Sequence, residues 1–260
     1  MPQPEDVRHR LDAGGNTARL IDQDLRSLRW DGEEFLNRAY LAVRDPAWAT
    51  LTGQVEVTHL GAAALEWIAR YRLGDAELSV RASLHLEPDA VVCSMTATAG
   101  PPLEDNRVGW GFLIPQGFAG APAGYTDPDG TTHRTGLPEL IAPQPLGPAG
   151  PEPAIGPFSQ FEFRGEQATY RLTATGDLFE LEDQRNWTDA SFKIYSTPLS
   201  TPRPLTLPAG GTLRQEIRLT RVRHVATRRP ALDLPTPRPA WPRLSAVLTT
   251  ASSQDLRALG

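Results

Sequence analysis

The chain has 260 residues, 40% hydrophobic and 22% charged, with a formal net charge of -5. That length suits one large all-β domain or a domain with part of another, and the mild acidity gives no reason to expect nucleic acid or an anionic membrane as partner. The 25 prolines and 22 glycines favour many turns over long helices.

In chain order, the first residues MPQPEDVRHRLDAGG mix charges without an apolar targeting core, and no apolar run of about 18 residues follows anywhere. The expectation is a cytoplasmic protein with an N-terminal tail over 1–16. Alternation of apolar and polar residues then dominates residues 17–220. LRSLRW, Asp31-Gly32 and EEFLNRAYLAV predict a hairpin, because an Asp-Gly pair supplies the left-handed backbone that a tight turn demands. ALEWIARYRL, AELSVRASLHL and AVVCSMTATA, separated by Gly74-Asp75 and Pro88-Asp89, predict a three-stranded meander. Cys93, the single cysteine, lies inside the last of these strands. It can form neither an intramolecular disulfide nor a thiolate metal cluster, and it reads as a buried structural thiol.

Further strands are predicted at 107–114, 158–164, 168–174, 178–183, 190–197 and 212–220. About a dozen strands with local connections make an all-β fold, a large antiparallel β-sandwich of two packed sheets. The proline-rich stretch 117–157 interrupts the alternation. It reads either as a loop folding over a binding face or as a plain surface excursion. Residues 221–243, rich in arginine and proline, predict an extended linker. In 244–260, RLSAVLTT and ASSQDLRALG resemble a strand and a helix start, the opening of a βα, barrel-like unit. That unit cannot bury its own apolar faces.

The run ELEDQRNWTDASFKIY, residues 180–195, concentrates the polar chemistry. Residues i and i+2 of a strand share a face about 6.5 Å apart, so Glu180 and Glu182 should point one way, and Lys193 and Tyr195 likewise. Phe179, Leu181, Phe192 and Ile194 would face the core. Lys193 is the single lysine among 26 basic residues, which sets it apart from a chain that otherwise uses arginine. Trp187, beside Arg185, Asn186 and Asp189, offers a flat face with hydrogen-bonding neighbours, the combination that binds a polyhydroxylated ring. Candidate ligand-binding residues are therefore Arg185, Asn186, Trp187, Asp189 and Lys193, with Glu182 and Asp183 as candidate acid/base groups; a structural polar cluster is the alternative. The Asp-Gly turn in YTDPDGTTHR lacks calcium-loop spacing, and GxGxxG, P-loop, HExxH and GxSxG motifs are absent, so no metal and no cofactor is expected.

LRSLRWDGEEFLNRAYLAVRDPAWATL, DNRVGWGFLIP, TDPDGTTHRTGLPELIAPQPL and FELEDQRNWTDASFKIYSTPL resemble, in that order, segments of the N-terminal β-sandwich domain of the D-apionate lactonase family. The string EDQRNWTDASFK is the most specific. The resemblance covers about residues 17–220, and the C-terminal tail resembles the start of that family's TIM-type barrel. It implies lactone-ring hydrolysis in sugar-acid breakdown. Ile114 and Gln144 stand where the family pattern carries histidines. The fold is also similar to the galactose-mutarotase supersandwich. The expected function is thus a carbohydrate or sugar-acid binding sandwich without full lactonase activity. Two alternatives stay open: a lactone-opening or mutarotase-like enzyme in its own right, and a remnant or subunit of a split enzyme. The expected partners are a small sugar or sugar acid, no nucleic acid, no membrane, and a separate barrel domain or a second copy of the chain.

Overall fold

The computed structural model describes residues 9–21, 24–147, 150–186 and 190–223. In chain order the strands are β1 His9–Ala13, β2 Asn16–Ile21, β3 Asp24–Trp30, β4 Glu33–Arg44, β5 Gln54–Leu60, β6 Ala64–Leu73, β7 Ala76–Glu87, β8 Ala90–Ala99, β9 Leu103–Asp105 and β10 Arg107–Pro115. They continue with β11 Pro122–Thr126, β12 Thr132–Gly136, β13 Leu146–Gly147, β14 Gly150–Pro151, β15 Ile155–Phe158, β16 Gln160–Arg164, β17 Ala168–Thr175, β18 Phe179–Gln184, β19 Ser191–Ser196, β20 Leu205–Leu207 and β21 Thr212–Arg223. One 3-10 turn, Gln116–Phe118, is the helical element among the described residues, and no described helix is long and apolar enough to cross a membrane.

Two antiparallel sheets carry the architecture, an eight-stranded one in the order β1-β2-β3-β4-β10-β19-β18-β15 and a nine-stranded one in the order β12-β11-β16-β17-β21-β8-β7-β6-β5. The all-β sandwich expected from the alternation is the observed fold. Strand β7 shows why: Ala76, Leu78, Val80, Ala82, Leu84 and Leu86 are buried, while Glu77 and Arg81 between them are exposed. The sheets meet through Trp30 and Phe35, which stack on Tyr170 of the opposite sheet, and through Trp110, edge-on to Trp67 at 5.9 Å. At one end, the Asn16 side chain donates across to the Glu87 and Ala90 carbonyls at 2.8 and 2.9 Å.

Turn chemistry fixes the registers. Asp31 and Gly32 both adopt positive φ, 49° and 92°, so β3 and β4 join through the mirror-image turn that matches strand twist. The predicted meander is β6-β7-β8, in register Leu73↔Ala76 and Glu87↔Ala90 across its two turns.

Three readings change. Residues 9–16, assigned to a tail, pair into the sheet as β1 and the start of β2 through the Gly14-Gly15 turn, with Leu11 fully buried. A single inward apolar residue in HRLDA gave no alternation to read. The edge strand β5 was also missed, because every residue of QVEVTHL is exposed. Within the proline-rich stretch, β11 and β12 form a hairpin on the edge of the nine-stranded sheet, and further along Glu139 and Gln144 are hydrogen-bonded to Arg185 and Glu182. The last predicted strand, 212–220, extends to Arg223. The linker beyond it and the βα unit lie outside the described residues.

Candidate functional site

The eight-stranded sheet has an inner and an outer face at its centre. On β10, Val108, Trp110, Phe112 and Ile114 point into the sandwich, so the alternate residues Arg107, Gly111 and Leu113 belong to the outer face. Pairing sets Tyr40 opposite Gly111 and Gly111 opposite Tyr195, then Tyr195 opposite Glu180; the adjoining row is Arg38, Leu113, Lys193 and Glu182. A Cβ at residue 111 would meet the Tyr40 ring at 2.8 Å, so glycine is what lets that ring lie across β10.

The expected face-sharing of Glu180 with Glu182 and of Lys193 with Tyr195 is present, yet the two glutamates take different parts. Glu180 is buried and accepts hydrogen bonds from Tyr195 Oη at 3.2 Å and Leu199 N at 2.8 Å, so it pins the segment after β19. Burial pushes its carboxyl up, against those bonds and the Arg107 and Arg203 charges. Glu182 is partly exposed and accepts from Gln144 Nε2 at 3.1 Å and Gln184 Nε2 at 2.6 Å. Gln144 thus reaches the face from the proline-rich segment, whereas Ile114 is buried in the core. Lys193, opposite Glu182, sits 5.6 Å from the centre of the Tyr195 ring.

Asp183 and Arg185 do not join this face. The Arg185 fork binds the Asp183 carboxylate through Nε at 2.8 Å and Nη2 at 2.7 Å, its Nη1 donates to the Glu139 carbonyl at 3.0 Å, and its plane covers Phe192 at 4.5 Å. Burial would raise the Asp183 carboxyl, but the Arg185 hydrogen bonds hold it below its usual range. Asp183 is thus an ion-pair anchor on the face opposite Glu182, and Arg185 spends its donors holding residue 139; neither fits its candidate role. Asn186 is exposed in the following turn, and Trp187 and Asp189 lie outside the described residues. His133, on the β11–β12 hairpin, is held by Asp127 at 2.7 Å and stacks on Tyr125.

Two groups on the outer face went unread in the sequence. Trp48 follows β4 in the turn Asp45-Pro46-Ala47-Trp48. Asp45 Oδ1 accepts from Ala47 N and Ala49 N, Arg44 donates to the Trp48 carbonyl, and Asn106 donates to the Pro46 carbonyl. This network holds Trp48 at φ 67°, a left-handed conformation uncommon for a bulky residue, with its side chain 41% exposed. Arg107 and Arg203 both approach its ring at 5.4 Å. Arg203 is consumed by the fold, donating to the carbonyls of Asn106, Leu199, Thr201 and Thr197. Arg107 differs. It is 5% exposed, lies over the Tyr195 ring at 4.0 Å, and its Nε has no hydrogen-bond partner among the described residues. Elsewhere, a groove of about 420 Å³ opens on the outside of the nine-stranded sheet, lined by Glu66, Arg81, Ser83, Ser94, Thr96 and Arg214 among others.

The two-sheet architecture is that of galactose-mutarotase-like proteins. A putative aldose 1-epimerase of Escherichia coli K12 superposes with a TM-score of 0.56 at 14% identity, covering 84% of this chain and 99% of that one. A galactose mutarotase-like protein of Lactobacillus casei gives 0.56 at 10% identity, covering 83% and 100%. At the sequence level, the family described as D-apionate lactonase, N-terminal domain, matches residues 1–224, and the chain belongs to that family. The D-apionate lactonase of Brucella anthropi is 33% identical over 223 residues, covering 80% of this chain; the chain spans 34% of that relative's length.

Proposed function

We propose that this sandwich binds a small carbohydrate, a sugar acid or its lactone, on the outer face of the eight-stranded sheet. The observation that carries the reading is the pairing of Glu182 with Lys193 on that face, beside the layered Tyr195, Arg107 and Trp48. Fixed charges and amides meet hydroxyls, while an exposed aromatic plane meets the CH face of a ring. The proposal retains Asn186, Trp187 and Asp189, which follow β18 in the sequence, as further ligand-binding residues. Membership of a family whose curated relative is a D-apionate lactonase supports a sugar-acid ligand.

Calorimetry of the full chain with D-apionate, its lactone and a panel of aldonic acids tests this. Binding at millimolar concentration or tighter is expected, with loss of affinity in both Lys193→Ala and Glu182→Gln. No heat with any ligand, or unchanged affinity in both variants, contradicts it. A catalytic reading draws on one further observation: Glu182 is partly exposed and held by two side-chain amides, whereas the Asp183 carboxylate is taken up by the Arg185 fork. Lactone opening that is accelerated by the wild type and abolished in Glu182→Gln would establish it. Equal rates in both would leave the domain a binding module.

A further inference from the structure

Among the described residues, Arg107 is a buried cation of the outer face whose side chain makes no hydrogen bond to the fold; Arg38, whose Nε is likewise unpartnered, is held by Asp24. A guanidinium carries five N–H donors in a rigid fork, and burying them without acceptors is costly. Its neighbour Arg203 shows how this chain treats a structural arginine, with four backbone carbonyls at 2.8–3.1 Å. Arg107 instead has rings on its planar faces, Tyr195 at 4.0 Å and Trp48 at 5.4 Å, and a buried Nε with no partner among the described residues. The groups that act on it electrostatically, Tyr195, Glu182, the like charge of Arg203 and Tyr40, do so without a hydrogen bond to it among the described residues. Aromatic faces fix the plane of the fork and leave its edge as the direction for acceptors. The Trp48 indole is held by a left-handed turn and stays 41% exposed, so it borders the buried guanidinium on the solvent side.

We infer that Arg107 is a specificity-determining anchor for a carboxylate, and that the outer face therefore selects the open, anionic sugar acid over neutral polyols and lactones of the same carbon skeleton. A carboxylate matches one fork with two parallel N–H···O bonds. A phosphate dianion fits less well, because Arg203 has already committed its donors and the carboxylates of Glu180 and Glu182 flank the position. Trp48 would stack on the hydroxylated chain that follows the carboxylate. The inference rests on the binding surface proposed above, and it names the ligand's charge state.

The test compares D-apionate with the polyol in which CH2OH replaces its carboxylate, titrated into the full chain at pH 7, with inorganic phosphate as a competitor. The acid is expected to bind at least tenfold tighter, about 1.4 kcal/mol. Arg107→Gln should weaken the acid at least tenfold more than the polyol, removing the preference between them. Arg107→Lys should keep part of the preference, charge without a fork, and it serves where Arg107→Gln does not fold. Equal affinity of the wild type for acid and polyol, or an unchanged preference in both variants, overturns the inference while leaving the binding surface standing. Phosphate displacing the acid more effectively than aldonates do would overturn the choice of carboxylate. Binding of neither acid nor polyol rejects the surface and the anchor together.

Discussion

Replacing Asp183 by asparagine separates the structural from the functional half of the polar run. Its carboxylate takes two hydrogen bonds from the Arg185 fork, at 2.8 and 2.7 Å, and the paired side chains are only 5% and 10% exposed. The amide removes the charge and sets an NH2 group against the guanidinium, leaving Arg185 with the Glu139 carbonyl and the Phe192 ring. Breaking a buried pair from one side costs about 3–5 kcal/mol, and the two surviving contacts place this case near the lower end. In a domain of this size each kcal/mol moves the melting temperature by about 2–4 °C, so a fall of about 6–12 °C is expected. The Asp183 carboxyl lies below its unfolded value of about 3.9, so its contribution is present above that pH and is lost as pH falls through the folded value. The difference between wild type and variant should therefore be full at pH 7 and shrink below about pH 4. Calorimetric melting across that range measures it, with sugar-acid titration well below the transition as control. An unchanged melting temperature, or lost affinity at unchanged stability, would refute the assignment of Asp183 to the fold.

Asp105 offers the opposite sign. Burial pushes its carboxyl up to about 6, with Arg203 pulling the other way, and its Oδ1 has no hydrogen-bond partner among the described residues. The folded state keeps a proton that the unfolded chain releases near pH 3.9, so stability falls as pH rises from about 4 to about 6. Asp105→Asn should exceed the wild type by about 1–3 kcal/mol at pH 8 and match it near pH 4 by urea unfolding; an equal difference at both pH values would contradict this. Gly111→Ala places a methyl 2.8 Å from the Tyr40 ring and should cost about 1–3 kcal/mol while moving that ring, seen as a changed near-ultraviolet dichroism. An unchanged spectrum and stability would show that the ring does not need the bare backbone.

Much of the fold was legible because its determinants are local. An Asp-Gly pair needs no tertiary information to turn a chain, and the alternation of AELSVRASLHL marks its own inward face. Strands β1 and β5 escaped for complementary reasons, one with a single inward apolar residue and the other an exposed edge whose partner strand alone defines it. At the site, i and i+2 spacing set Glu180 with Glu182 and Lys193 with Tyr195, but that Glu182 stands opposite Lys193 follows from the β18–β19 register. The same spacing rule allies Asp183 with Arg185. Their burial, which turns the latter pair from candidate chemistry into an anchor, depends on Glu139 from a distant segment. Trp48 and Arg107 are 59 positions apart and meet only because β4 pairs with β10. Two signals were there to be used: a tryptophan inside an Asp-Pro turn, and an arginine opening the apolar run RVGWGFLIP, where a cation would be buried.

Which face receives the ligand is measured most directly by amide hydrogen exchange of the full chain with and without saturating D-apionate. Binding at the proposed surface predicts slower exchange in peptides spanning residues 38–50, 107–115, 180–186 and 191–203, with the Trp48 turn among the most protected. Protection confined to the groove outside the nine-stranded sheet, in peptides carrying Ser83, Ser94 and Arg214, would contradict the account.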